Sequence, residues 1–297
     1  MINIKQNKII ITALTVILFC SYTNQIYGHN FAGDESASFL ALMDQMQTEM
    51  NLINANLNAN NQSLAKDHLN KINDELYTET IKKEITERNK RIANEISLSI
   101  DEISNAIEQG NNKDIIKSVK TFNDIIEEAV SVRIEADAMT NSTIQALHFA
   151  DLINSIDLSY AASLDTKPMN MSATSMNTKM KMNMSDSNSM TNMNKDTDNT
   201  SNTNINTTQT NSTITNIASY QTAEELTNYA IDLFNSTIKQ NIPSNATENA
   251  KALESGLQQL KDMIESKTSY NIVMGVIHGI IHTNTQESFN LPLKMFK

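Results

Sequence analysis

Apolar residues recur along this chain at steps of three and four positions, the spacing of one face of an α-helix. The clearest stretch spans residues 87–109, where isoleucines at positions 92, 96, 100, 103 and 107 form a single stripe. Such a stripe packs one side of a helix against a core. The six glycines and three prolines are few for the turns of a sheet-rich fold. The pattern therefore predicts an all-α protein without strands.

The helical pattern occurs twice. With an offset of 157 positions, residues 69–119 fall on residues 226–276 without a gap, and apolar positions coincide with apolar positions. This internal duplication predicts two related three-helix units. The predicted helices are 62–83, 87–109 and one from Lys113 onward in the first copy, and 220–240, 245–266 and 269–289 in the second. The third helix of the first copy extends to Tyr160 either continuously or with a break near residues 138–142.

Other segments divide the chain into four parts. An opening helix over residues 36–57, capped by Asp34 or Ser36, precedes the first copy. Residues 166–216 have no helical periodicity and are rich in Asn, Ser, Thr, Met and Lys, so we interpret them as a disordered linker. The expected parts are a signal peptide (1–28), an N-terminal helical unit (29–165), the low-complexity linker (166–216) and a C-terminal helical unit (217–297). The two units either pack together through the extra helices or form independent bundles.

The N-terminus has the features of an export signal. Lys5 and Lys8 precede an apolar run over residues 9–20, which is short for a membrane span, and Gly28 provides a small residue for cleavage before His29. We expect a secreted or cell-surface protein with no transmembrane span after signal removal. The single cysteine, Cys20, is removed with the signal, which excludes disulfides and thiolate sites in the mature chain. The net charge of -11 argues against nucleic-acid binding.

Methionines provide the first candidate metal site. Eight of the sixteen methionines lie in the linker. Thioether sulfur is a soft ligand that suits Cu(I). The alternative is that a biased base composition of the coding sequence produced these methionines, and that their sulfur atoms have no function. The linker methionines are Met169, Met171, Met176, Met180, Met182, Met184, Met190 and Met193.

Histidines provide two further candidates. Met274, His278 and His282 follow one another at intervals of four on the third helix of the second copy, where a histidine pair one turn apart can ligate zinc or copper. The alternative is ordinary packing with satisfied ring nitrogens. Cleavage before His29 would create an α-amino and imidazole chelate for copper. The first-copy counterparts of the helical trio are Lys117, Thr121 and Ile125.

The remaining histidines and the carboxylates give no catalytic pattern. His68 and His148 have no partner at ligand spacing, and we interpret them as ordinary helix residues. Paired carboxylates such as Glu84 and Glu87 lie on charged helix faces. The sequence has no E-x-x-H, G-x-S-x-G, H-E-x-x-H, Walker or Rossmann motif. We therefore expect no enzymatic activity. An enzyme with an unrecognised site is the functional hypothesis that the sequence supports least.

Four segments of the chain are similar to segments of known proteins. The segments HNFAGDESASFLAL (29–42), EITERN (84–89), SVRI (131–134) and HGIIHTNTQESFNL (278–291) resemble those of exported helical proteins encoded by ammonia-oxidising archaea. The resemblance implies a secreted or surface-associated protein of a copper-demanding archaeal cell, and it implies no catalytic residue. We expect a non-catalytic binding or structural module with an unknown extracellular partner. The alternative is a copper-binding protein that uses the methionine-rich linker and the helical histidines.

Overall fold

A computed structural model describes residues 34–110, 112–164, 166 and 212–291. Within these residues the backbone forms helices and no strand, which confirms the all-α fold class. None of the helices in the described ranges combines the length and the apolarity that crossing a membrane requires. In chain order they are α1 (Glu35–Asn58), α2 (Gln62–Lys71), α3 (Glu79–Arg88), α4 (Lys90–Gln109), α5 (Asn112–Arg133), α6 (Ala136–Thr140), α7 (Ser142–Ser163), α8 (Ile217–Leu233), α9 (Lys239–Asn241), α10 (Thr247–Glu265), α11 (Tyr270–Val276) and α12 (Thr283–Phe289).

Local sequence signals set the helix ends. Asp34 accepts a hydrogen bond from the backbone N–H of Ser36 at 2.7 Å, which confirms the predicted cap of the opening helix. Asn89 caps α4 by accepting from the N–H groups of Arg91 and Ile92. Gly110 ends α4 in the left-handed conformation, with φ of 67°, which glycine adopts without a steric penalty. The five isoleucines of the α4 stripe are all buried, as predicted.

The predicted single helix over residues 62–83 is wrong, because α2 and α3 are separate helices. A π-helical segment, Ile72–Leu76, widens the end of α2, and the chain leaves helical geometry at Tyr77. The Tyr77 hydroxyl donates to the carbonyl of Ala93 on α4 at 2.8 Å, which holds the aromatic ring in the core. Thr78 then caps α3 with its side chain. The local cap by Thr78 and the contact of Tyr77 with α4 compete with a continuous helix.

Two breaks also divide the long third helix of the first copy. α5 ends at Arg133, and the short α6 separates it from α7. Asn141 accepts hydrogen bonds from the N–H groups of Thr143 and Ile144, so it starts α7 as a new helix. The alternative with a break near residues 138–142 is therefore the one that the structure adopts.

Helix bounds in the second half follow the offset of the sequence repeat. α4 begins at Lys90 and α10 begins at Thr247, 157 positions later. The counterpart of α5 runs from Tyr270 to Phe289, with a π-helical segment, Ile277–His282, between α11 and α12. A second π-helical segment, Phe234–Ile238, joins α8 to α9. A common origin of the two halves stays a prediction.

The buried apolar residues form two main cores. The first core is built from α1 to α5 and contains Phe39, Phe122 and the α4 isoleucines. The second core is built from α7 and the helices of the second copy, and it contains Phe149, Tyr160 and Phe234. Each set of repeat helices thus has one extra helix beside it, α1 or α7. From here on, the first unit means α1 to α5 and the second unit means α7 to α12, so α7 packs with the second copy although it precedes residue 165. The extra helices also touch each other and α8, so the two units pack together rather than forming independent bundles.

The two ends of the low-complexity segment lie side by side. The backbone N–H groups of Thr215 and Asn216 donate to the carbonyl of Ser163 at 2.8 and 3.1 Å. Ser212 donates to the carbonyl of Lys267 at 2.7 Å, next to the start of α11. The end of α7 and the start of α8 are therefore tied together at this place.

Gly256 marks a close approach between α10 and the π-helical segment Ile277–His282. A Cβ atom at this position would lie 2.8 Å from Cγ2 of Ile280 and 3.2 Å from Cγ1 of Ile281. We expect Gly256→Ala to lower the free energy of unfolding by about 1–2 kcal/mol, because overpacking outweighs the better helix propensity of alanine. Urea denaturation measures the change.

Gly275 is the matched control, since a Cβ there meets no atom within 4 Å. Gly275→Ala should leave the free energy of unfolding unchanged or raise it by up to about 1 kcal/mol. Equal effects of the two substitutions would contradict the close approach.

Candidate functional site

All four histidines in the described residues are buried in the helical body. Three of them, His68, His148 and His278, pair with a carboxylate on a different helix. His68 and His148 lie on helices, as expected, and each also takes part in a buried polar cluster that the sequence did not predict. The carboxylates come from α1 and α7, the extra helices of the two units.

The first cluster surrounds Glu49 on α1, which is 1% exposed. Its carboxylate accepts from Nδ1 of His68 at 2.6 Å and from the hydroxyl of Thr222 at 2.8 Å. Nζ of Lys71 lies 3.1 Å from the other side of the same carboxylate. Glu49 and its two cationic partners belong to the first unit, whereas Thr222 lies on α8 of the second unit. The cluster therefore joins the two units.

The ring of His68 is hydrogen-bonded on both sides. Nδ1 faces the Glu49 carboxylate, and Nε2 lies 2.8 Å from Oε1 of Gln221 on α8. Asn56 donates through Nδ2 to the same Gln221 oxygen and to the carbonyl of Leu52, both at 2.9 Å. His68 therefore links the first unit to α8 through Gln221.

The environment of Glu49 keeps it ionised. Burial alone would raise the pKa of Glu49, but four interactions outweigh that effect and hold the pKa below its usual value of 4.5. In decreasing order these are the hydrogen bond from His68, the charge of Lys71, the charge of His68 and the hydrogen bond from Thr222. The cluster has the charges and donors that a buried carboxylate needs.

The second cluster joins α1, α7 and α8. Oδ2 of Asp44 lies 2.5 Å from Nε2 of His148. Burial, together with the nearby Asp44, raises the pKa of the hydroxyl of Tyr229 on α8. A third contact between the units lies nearby, where the hydroxyl of Ser38 donates to Asp151 at 2.8 Å. Polar contacts thus occur at several points along the junction between the two cores.

The third cluster contains the predicted histidine pair. Nδ1 of His278 and Nδ1 of His282 lie 3.2 Å apart, and their ring centroids are separated by 5.0 Å. Both residues belong to the π-helical segment Ile277–His282. On the opposite side of the first ring, Nε2 of His278 lies 3.6 Å from Oδ2 of Asp157. The hydroxyl of Tyr270 donates to the same oxygen at 3.3 Å.

The structure brings together only part of the predicted metal ligands. Met274 is buried in α11, one turn before His278. In the part of the chain that the structure describes, no group of three or more His, Cys, Asp or Glu residues is arranged to hold a metal ion. The other predicted ligands lie outside the described residues: His29, Met169, Met171, Met176, Met180, Met182, Met184, Met190 and Met193.

Sequence analysis missed the acidic partners of the histidines. Glu49 is flanked by Met46, Met50 and Ile53, all of which are fully buried. An acidic residue within such an apolar stripe is the signal that could have been used, because carboxylates are almost never fully buried unless they are paired. The identity of the partner depends on which helices pack together, and the sequence of a single helix does not contain it.

We expect Glu49→Gln to lower the free energy of unfolding by about 3–5 kcal/mol, since it leaves Lys71 without its counter-charge and His68 without its carboxylate partner. Urea denaturation at neutral pH measures the loss. Asp124→Asn is the control, because Asp124 pairs with Lys120 on an exposed face of α5. It should leave the free energy of unfolding close to that of the wild type.

The lowered pKa of Glu49 predicts how stability depends on pH. A carboxyl whose pKa is lower in the folded state than in the unfolded state stabilises the fold fully above the unfolded value, here near 4.5. This contribution is lost as the pH falls through the folded pKa. The free energy of unfolding should therefore fall with pH below that value. The slope should be shallower in Glu49→Gln, and equal slopes would contradict the assignment.

Comparison of the chain with protein-family models, curated proteins and solved structures found no match. The resemblance to exported helical proteins of ammonia-oxidising archaea stays a prediction. Arguments about function therefore start from the geometry of the helical body and its buried polar clusters.

Proposed function

We propose that this chain is an exported, non-catalytic binding or structural module at the archaeal cell surface. In this proposal the helical body is a rigid support, and residues 167–211 form an insert that the support carries. The observation that supports this proposal best is the pair of hydrogen bonds from Thr215 and Asn216 to the carbonyl of Ser163. They join the start and the end of the insert, so the insert does not separate two bodies.

The buried polar clusters support the same proposal. Gln221 and Thr222 on α8 hydrogen-bond to Asn56, His68 and Glu49 of the first unit. Buried polar groups favour one arrangement of helices because a shift of one helix would leave them without partners. A support of fixed shape is what a surface binding or structural module requires.

Copper handling is a second candidate function, favoured by the 3.2 Å separation of the ring nitrogens of His278 and His282. In this version the eight linker methionines capture Cu(I) through their thioether sulfurs. The helical histidines and Met274 then hold the ion in a more ordered site. His29 would add an N-terminal chelate when the signal is cleaved directly before it.

Replacement of residues 167–211 by a short Gly/Ser connection tests the rigid-support proposal. We expect the free energy of unfolding to stay the same or rise by up to about 2 kcal/mol, since a shorter loop closes at a smaller entropy loss. Urea denaturation followed by circular dichroism provides the measurement. The substitutions Thr215→Pro and Asn216→Pro, which remove the donors to Ser163, should lower stability. A large loss of stability on shortening the insert would contradict the proposal.

Cu(I) titration of the mature protein, in competition with a chelator under reducing conditions, tests the second candidate. We expect the replacement of the eight linker methionines by leucine to lower the number of bound Cu(I) ions. The unmodified chain is the reference, and N-terminal sequencing of exported material shows whether His29 is the first residue. Equal Cu(I) binding by both proteins would exclude a role of the linker methionines.

A further inference from the structure

We propose that His278 and His282 form a buried binding site for one Cu(I) ion inside the second core, oriented by Asp157. The inference deepens the copper-handling candidate and depends on the described residues alone. It assigns the ligands, the metal class and the residue that positions the ligands.

Ligand spacing is the first argument. Nitrogen ligands bind metals of this kind at about 2.0 Å, so two ligands of one ion at a tetrahedral angle lie about 3.3 Å apart. The two Nδ1 atoms lie 3.2 Å apart. The two nitrogens are thus spaced as two ligands of one ion would be.

Helix geometry is the second argument. In a regular α-helix, residues four positions apart are neighbours on one face, but their side chains lie one above the other. Here both histidines belong to a π-helical segment, whose wider turn changes the angle between them. The rings meet edge to face, with 63° between their planes. π-Helical turns of this kind often occur at functional sites.

Asp157 provides the third argument. Histidines that ligate metals usually donate their other ring nitrogen to a carboxylate, which fixes the tautomer and increases the basicity of the ligand. Oδ2 of Asp157 lies on the Nε2 side of His278, and Tyr270 donates to the same oxygen. A proton on Nε2 that faces Asp157 leaves the lone pair of Nδ1 directed toward His282.

The donor set selects the metal. Two imidazoles with a buried thioether one turn away, that of Met274, are soft to borderline ligands. Zn(II) prefers four donors, usually including thiolate, imidazole or carboxylate. Cu(I) accepts fewer ligands and binds thioether sulfur well. The geometry points to a monovalent soft ion.

The test uses the mature full-length chain in which the eight linker methionines are leucines, with Ag(I) as a redox-inert probe for Cu(I). We expect one equivalent of Ag(I) to shift the ¹⁵N resonances of Nδ1 in both His278 and His282. His282→Gln should weaken Ag(I) binding at least about tenfold, which corresponds to the loss of one ligand. Asp157→Asn should weaken it less and should change the Nε2 resonance of His278.

His148→Gln is the matched control, because His148 is a buried histidine beside a carboxylate, Asp44, without a second histidine. It should leave Ag(I) affinity unchanged. Circular dichroism shows whether each variant is folded, and Met274→Leu provides a milder change should His282→Gln not fold.

The result that would overturn the site is Ag(I) binding with no shift of either Nδ1 resonance, or no Ag(I) binding at all in the methionine-replaced chain. Equal weakening by His148→Gln and His282→Gln would overturn it as well. These outcomes differ from failure of the linker proposal, in which the methionine-replaced chain binds as much Cu(I) as the unmodified chain.

Discussion

A negative charge inside the protein is the constraint on which the arrangement of the helices depends. Glu49 is almost completely buried, and its charge is balanced by His68 and Lys71 from α2 and by a hydroxyl from α8. Breaking such a set is strongly destabilising, although an apolar replacement of the whole set need not be. We infer that the cluster contributes mainly to the specificity of packing, because it allows one register of α1 against α2 and α8.

Other polar pairs along the junction of the two cores act in the same way. Apolar stripes such as those of α1 and α4 can pack in several registers, since apolar contacts are not directional. The polar pairs add direction at defined points: Glu49 with His68, Asp44 with His148, and Ser38 with Asp151. Separation of the two units would break the pairs Asp44–His148 and Ser38–Asp151 and the hydrogen bond from Thr222 to Glu49. Hydrogen bonds and ion pairs therefore hold the two units together, in addition to the burial of apolar surface.

The sequence predicted most of the fold and little of the site, for physical reasons. Helix α4 was predictable because its isoleucine stripe, its Asn89 cap and Gly110 all lie within one short segment. The separation of α2 from α3 was not, because it depends on a hydrogen bond from Tyr77 to Ala93 on another helix. The pairing of His278 and His282 followed from their spacing, whereas Asp157 enters only when α7 packs against α11.

The closed base of the insert has an evolutionary consequence. Ser163 receives Thr215 and Asn216 at the point where α7 ends, so the end of α7 and the start of α8 are held together by contacts outside the stretch between them. Changes in the length or composition of that stretch therefore need not displace a buried residue of either core, and we expect evolution to tolerate them better there than within the helices.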